Sequence, residues 1–319
     1  MKTIGVLTSG GDAPGMNAAV RAVVRTAISL GMNVKGIRRG YNGLIEGDVI
    51  DLDVRSVSDI IHRGGTFLYT ARSPKFKTEE GVLEAVENCK KLGIEGIAVI
   101  GGDGSFRGAR DLSNHGIPCV GIPGTIDNDI ASTEYSIGFD TAMNTAMEMV
   151  DKIRDTAQSH DRCSVVEVMG RHAGYIALQT GIAVGATAVL VPEVEADIKE
   201  VIKKIEKTRA TGKKHFIIIV AEGVGGVEEM AKQIEEATGI ETRASVLGHV
   251  QRGGCPTVRD RVMATELGNA AVHLLSKGIG NRVVAYKGGE ILDYDIFEAL
   301  NMTKEFDFDM MKVANETSN

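Results

Sequence analysis

The chain lacks any pair of cysteines at CxxC spacing. Its four, Cys89, Cys119, Cys163 and Cys255, lie far apart, which argues against a zinc knuckle or a disulfide framework and leaves reduced thiols. No apolar stretch approaches the ~18 residues of a membrane helix. The start runs from four apolar residues into Gly10-Gly11, without the apolar region of a secretion signal. A cytoplasmic location with no membrane partner is therefore expected. No Lys/Arg-rich run is present, and 36 Lys+Arg against 43 Asp+Glu give a net charge of −7. That excludes the basic footprint of a nucleic-acid binder and leaves single basic residues, as small anion sites require.

What is present, 319 residues with 43% hydrophobic content, suffices for two domains with ordinary cores. Val/Ile-rich runs alternate with amphipathic stretches. The reading is strand Thr3–Thr8 then helix Met16–Leu30, strand Gly96–Ile100 then helix Phe106–Ser113, and strand Cys119–Ile122 then helix Thr141–Gln158. The second half repeats the pattern, with strands near Ser164–Met169, Ala186–Val191, Phe216–Ala221 and Ala244–Leu247 and helices at Ile198–Arg209, Glu228–Thr238 and Arg261–Leu275. A βα alternation implies parallel sheets. The expected fold is α/β: two similar doubly wound lobes with mainly parallel sheets and helices on both faces. On helix Thr141–Gln158, Met143, Ala146, Met147, Val150 and Ile153 recur at spacings of three and four, so that face, methionines included, is expected in the core.

Three acidic or glycine-rich turns follow strands. Pro123-Gly-Thr-Ile-Asp-Asn-Asp129 carries two carboxylates, Asp127 and Asp129, suited to a base and a metal ligand. Gly101-Gly-Asp-Gly-Ser105 sets a carboxylate among backbone donors able to hold polyphosphate oxygens. Two anions ~4 Å apart repel by about 4 kcal/mol at an effective dielectric of ~20, so Asp103 beside a phosphate calls for an intervening cation such as Mg²⁺. Gly108, one helical turn later, would leave room for a flat base. The first turn, Gly10 to Gly15, has P-loop-like spacing only, since Met16-Asn17 stand where Lys-Ser/Thr would be. Three strand ends are expected to converge on one phosphate site.

These motifs, together with Met169-Gly-Arg171 and Gly248-His-Val-Gln-Arg-Gly-Gly254, match in order and spacing those of bacterial ATP-dependent 6-phosphofructokinases. The chain resembles that family over essentially its whole length. The resemblance implies transfer of the γ-phosphoryl group of MgATP to the 1-hydroxyl of fructose 6-phosphate. It implies Asp127 as base, Asp103 and Asp129 at Mg²⁺, and Gly11, Thr125, Arg72 and Arg171 around the moving group. Tyr41, Arg72, Ser73, Lys77, Gly102, Asp103, Gly104, Ser105 and Gly108 would surround ATP with Gly11. Thr125, Ile126, Asp127, Asp129, Met169, Gly170, Arg171 and Glu222 would surround the sugar, with Arg162, Arg243, His249 and Arg252 at its 6-phosphate. Arg162 and Arg243 would come from a neighbouring subunit, which implies a homotetramer. By the same resemblance, residues 1–138 plus 251–303 form the ATP/Mg lobe and 139–250 plus 304–319 the sugar-phosphate lobe.

Pyrophosphate-using relatives usually carry Asp and Lys where this chain has Gly104 and Gly124, so ATP is the expected donor. The resemblance also implies an effector site for ADP and phosphoenolpyruvate at Arg21, Arg25, Asp59, Arg154, Gly185, Lys213, Lys214 and His215. Thr187 replaces a usual carboxylate and Thr211 a usual arginine there, so weakened or altered control is expected. Two alternatives remain at this stage: a related kinase with another donor or acceptor, and a non-catalytic nucleotide sensor. The sensor would be expected to have lost Asp127, Asp103 or Arg72, and all three are present.

Overall fold

The short Val/Ile runs are buried on both faces, which is why they read as continuous apolar segments rather than alternating ones. The structure is a computed structural model that describes residues 1–318; residue 319, the last of the expected second lobe, lies outside them. In chain order the elements are β1 (Thr3–Thr8), α1 (Met16–Ser29), β2 (Asn33–Ile37), α2 (Gly40–Glu46), β3 (Val49–Leu52), α3 (Glu79–Lys91), β4 (Gly96–Gly101), α4 (Asp103–Asn114) and β5 (Cys119–Pro123). Next come α5 (Phe139–Ser159), β6 (Cys163–Val168), α6 (Tyr175–Ala183), β7 (Ala188–Leu190), α7 (Ile198–Arg209), β8 (Phe216–Ala221), α8 (Val227–Thr238) and β9 (Thr242–Val246). The chain closes with α9 (Val258–Ser276), β10 (Arg282–Lys287), β11 (Glu290–Asp295), α10 (Ile296–Asn301) and α11 (Phe308–Thr317).

By internal packing the chain divides into two α/β units. The first comprises Met1–Ile126, Ile130–Thr141 and Arg252–Lys304; the second comprises Asp127–Asp129, Ala142–Gln251 and residues 305–318. The first unit holds a seven-stranded sheet in the order β11-β10-β5-β4-β1-β2-β3. Its five inner strands pair in parallel, and the edge strands β3 and β11 are antiparallel to their neighbours. Its core gathers Leu7, Ile37, Ile97, Val99, Leu112 and Phe106. Gly121 in β5 is what seats Phe106, since a Cβ there would stand 2.7 Å from the ring. Burying such a side chain contributes about 1.5–3 kcal/mol.

The second unit holds an all-parallel four-stranded sheet, β7-β8-β6-β9, over a core that includes Val165, Ile205, Phe216, Ile218 and Ile234. Along α5 the buried line runs through Ala142, Ala146, Val150 and Ala157, whereas Met143, Met147 and Ile153 are only half-buried. The expectation that the methionines lie in the core is thus corrected: the buried stripe of this helix is centred on its alanines. Among the described residues no helix is long and apolar enough to cross a membrane. All four cysteines are free, with Cys255 exposed and the others buried.

Candidate active site

In the first unit β1 lies between β2 and β4, so the chain turns to opposite sides of β1 in successive crossovers. Ligands of open α/β sheets bind at the carboxyl ends of strands beside such a switch point. The register Thr8↔Ile100 and Ile100↔Ile122 sets the ends of β1, β4 and β5 level. Their following turns touch: the Ser9 N–H donates to the Ile100 carbonyl at 2.9 Å, and that of Gly124 to Gly101 at 2.9 Å. A Cβ on Gly101 would lie 2.5 Å from the Ser9 carbonyl oxygen, and one on Gly102 3.9 Å from the Thr125 Cβ.

Asp103 is not in a turn. Gly102 has an extended backbone and serves as the N-cap of α4, so Asp103, Gly104 and Ser105 form the helix's first turn. N–H groups at the very start of a helix face outward with the positive end of its dipole, a ready anion site, although that of Ser105 already donates to the Gly102 carbonyl at 2.9 Å. Asp103 is half-exposed and 3.9 Å from Arg107. A Cβ on Gly104 would meet nothing within 4 Å, whereas one on Gly108 would fall 2.6 Å from the Tyr41 ring. The room expected above Gly108 for a flat base is therefore filled by Tyr41. That ring stacks on Phe76 at 4.1 Å, its hydroxyl donates to the Ser105 carbonyl, and burial pushes its phenol pKa well up.

Thr8 Oγ1 donates to the Tyr69 carbonyl at 2.7 Å and Thr70 Oγ1 to that of Gly10 at 2.6 Å, which fastens the segment before Arg72 to the first turn. Arg72 is exposed, and its carbonyl accepts from Asn42 at 3.2 Å. Ser73 Oγ accepts from the Phe76 N–H, and Lys77 ends a 3₁₀ turn, Lys75–Lys77. Arg252 also belongs to this unit. Its Nη1 donates to the Asp12 carbonyl at 3.1 Å and would clash at 2.6 Å with a Cβ on Gly11, so a guanidinium covers that turn. Thr125 and Ile126 are buried.

In the second unit the carboxyl ends of β6, β8 and β9 carry Met169–Arg171, Glu222 and, beyond β9, exposed His249. Glu222 accepts from the N–H groups of Gly170 at 3.3 Å and Arg171 at 3.0 Å, and Gln251 Oε1 accepts from that of Met169 at 2.9 Å. Asp127 is 1% exposed, with the Arg171 Nε 3.3 Å from its carboxylate; Asp129 is half-buried. Glu167, inside β6, is raised in pKa by burial and then by the charge of Glu222.

Arg162 and Arg243 sit at the opposite end, by the amino ends of β6 and β9, where Glu241 holds both at 2.8 Å. Their hydrogen bonds, Arg162's first, draw the Glu241 pKa down to about 2. Six-residue β6 spans ~20 Å, so within one chain these two arginines do not join His249 and Glu222 around one phosphate.

The phosphofructokinase family model matches residues 3–275. The chain belongs to the phosphofructokinase family. The ATP-dependent 6-phosphofructokinase of Bacillus velezensis is 58% identical over 318 residues, covering 100% of both chains. The protein of that name from Bacillus subtilis (strain 168) is also 58% identical over 318 residues, with 100% of both chains covered. Among solved structures, the phosphofructokinase of Saccharomyces cerevisiae has a TM-score of 0.90 at 34% identity. It covers 100% of this chain and 48% of that chain, so this chain spans about half the length of the yeast one.

The residues that the family resemblance assigns to an effector are distributed over both units. On α1 Arg21 and Arg25 are half-buried, and the Arg21 pKa is lowered by burial and then by Arg25. Asp59 is exposed with φ 58°. In the second unit Arg154 donates to the Val184 carbonyl beside exposed Gly185. Lys213 is lowered in pKa by burial and Arg154, His215 by burial, Lys213 and Arg154, and Lys214 pairs with Asp161 at 3.7 Å. Thr187 is fully buried, its N–H bonded to the Ile217 carbonyl at 2.7 Å. Thr211 Oγ1 closes α7 on the Thr208 carbonyl at 2.7 Å. Glu241 and Glu167 were not singled out from the sequence, since pairing across strands carries no local motif; Gln251 lies within the Gly248–Gly254 motif, which does not show its bond to Met169.

Proposed function

We propose that this protein transfers the γ-phosphoryl group of ATP to the 1-hydroxyl of fructose 6-phosphate, giving fructose 1,6-bisphosphate and ADP in the cytoplasm. The observation that carries the reading is the α4 N-terminus with Gly102 as cap and Asp103 in its first turn, packed level with the Gly11 and Thr125 turns. Its N–H groups suit polyphosphate oxygens. ATP as donor is supported by Gly104, beside which space is open, and by 58% identity over the full length to a protein named as ATP-dependent.

Asp127 would accept the proton of the 1-hydroxyl as that oxygen bonds to the γ-phosphorus and the bond to the ADP oxygen breaks. Phosphoryl transfer has a loose transition state with charge on equatorial oxygens, so positioned cations and N–H donors supply most of the stabilisation. Arg72, Arg171, Thr125 and the Gly11 amide are the candidates. The sugar would be held by Met169, Gly170 and Glu222, with its 6-phosphate at His249 and Arg252. Asp103, with Asp129 as second candidate, offers the hard oxygen donor that suits Mg²⁺ arriving on the nucleotide. No cluster of three or more metal-binding side chains occurs among the described residues, and a cation carried mainly by phosphate oxygens and water needs none. When bound, Mg²⁺ would neutralise charge on the transferring phosphates.

Arg162 and Arg243, at the far end of the second sheet, would complete a neighbouring chain's phosphate site. That makes a homotetramer the expected active form. Effector control by ADP or phosphoenolpyruvate is proposed in altered form, because the Thr187 side chain is fully buried and uncharged and the Thr211 hydroxyl is taken up by the Thr208 carbonyl. Steady-state kinetics test the assignment. Arg72→Ser should lower kcat, whereas Arg243→Ser should mainly raise the KM for fructose 6-phosphate; the reverse pattern would overturn these roles. Mixing Asp127→Ser with Arg243→Ser subunits should restore turnover at low fructose 6-phosphate if sites are shared, and should restore none if each chain is self-sufficient.

A further inference from the structure

Asp260 lies outside every motif above, yet its carboxylate is completely buried. Its Oδ1 accepts from the Tyr135 hydroxyl and from the Gly138 N–H at 2.7 Å. Its Oδ2 accepts from the Thr141 N–H at 2.8 Å and from the Thr141 hydroxyl. Four donors occupy the four acceptor positions of a carboxylate. The arrangement caps a helix from outside its own sequence: α5 begins after Gly138, which has φ 101° and no side chain with which to cap. Asp260, in the first turn of α9, supplies the missing acceptor and a negative charge at the positive end of α5.

The segment so fastened, Tyr135–Gly138, reaches both donor-side turns. The Ser136 hydroxyl donates to the Thr125 carbonyl at 2.7 Å, and the Ile137 N–H to that of Pro123 at 3.0 Å. A Cβ on Gly138 would fall 2.6 Å from the Ala13 Cβ, and one on Gly15 2.7 Å from the Ile137 Cγ2. Through this one segment the carboxylate bears on the turn that follows Gly11 and on Thr125, two residues before Asp127.

We infer that Asp260 is a positioning residue for phosphoryl transfer, holding the Thr125 run and the Gly11 turn in register through Tyr135–Gly138. The inference rests on the kinase reading above. Asp260 contacts no reacting atom in this account, and its effect is on placement, where an error of ~1 Å can cost about 10²-fold in rate.

Kinetics of three variants on oligomer isolated by sedimentation test it. Ser136→Ala and Tyr135→Phe each remove one link and leave Asp260 in place. Asp260→Asn keeps the size but sets an amide NH₂ against the donors. The expected result is a kcat per folded molecule about tenfold lower in Ser136→Ala and about 10²-fold lower in Asp260→Asn, with both KM values within about threefold of the parent. A purely structural role would lower the folded fraction and leave kcat per folded molecule unchanged, and that outcome overturns the inference. If Asp260→Asn does not fold, Ser136→Ala and Tyr135→Phe decide by the same criterion. Absence of fructose 1,6-bisphosphate with the unsubstituted protein would instead refute the kinase reading.

Discussion

Replacing Asp127 by Asn separates chemistry from folding at the proposed base. The side chain keeps its size in a site 1% exposed, and its ion-pair partner Arg171 remains 56% exposed. A guanidinium so solvated loses only ~0–1 kcal/mol with its partner, and the buried position no longer carries a charge. Thermal unfolding should therefore change little. Turnover should fall steeply, because general-base catalysis contributes about 10²–10⁴-fold. At about 1.4 kcal/mol per tenfold, that is a barrier increase of about 3–5.5 kcal/mol. The assay is fructose 1,6-bisphosphate formation at saturating MgATP and fructose 6-phosphate, with KM values from separate titrations. Asp127→Asn should show unchanged KM for MgATP and a kcat at least 10²-fold down. A kcat within a few-fold of the parent would refute the role of Asp127, whatever the stability.

Gly108→Ala drives a methyl into the Tyr41 ring, which is held by Phe76 and by the Ser105 carbonyl. It should cost about 1–3 kcal/mol in denaturant unfolding, and less in a Tyr41→Ala background; equal costs in the two backgrounds would contradict the contact. Glu241→Gln frees Arg162 and Arg243 from a charged competitor and should lower the KM for fructose 6-phosphate with kcat unchanged. A raised KM would mean that Glu241 orients the two arginines instead. His115 is raised above 6.5 by its bond to the Asp111 carbonyl and then by Glu79. Its stabilisation is therefore fully present below about pH 6.5 and is lost as pH rises through the folded-state pKa. The stability gap between the parent and His115→Gln should shrink from pH 6 to pH 9 in urea melts, and a gap that widened would reverse the sign. Gly104→Asp enters open space, so it should fold normally while raising the KM for ATP; an unaltered KM would remove the argument from Gly104.

The inner strands were legible because burial on both faces leaves mainly apolar residues and glycine in β1, β4, β5 and β8. The inner strand β2 and the antiparallel edge strand β3 were not. β2 and β3 mix polar residues with apolar ones, and their cross-strand pair Lys35–Asp51 looks like surface charge. The glycine turns pointed to the proposed phosphate-site chemistry. Their geometry did not follow: an extended Gly102 lets α4 start three residues before the expected Phe106, and glycine at 108 makes room for Tyr41 rather than for a ligand. Asp260 was invisible because one acidic residue in a helical pattern reads as solvated, and its four donors come from a segment more than a hundred positions away. Glu241 was missed for the same reason, since its grip on Arg162 spans neighbouring strands.

The most direct test of the central claim is product formation from fructose 6-phosphate by the purified protein, with MgATP and Mg-pyrophosphate compared side by side. The account predicts fructose 1,6-bisphosphate with MgATP and little with pyrophosphate. Product from pyrophosphate alone would contradict the reading of Gly104, and no product from either donor would contradict the assignment of the reaction.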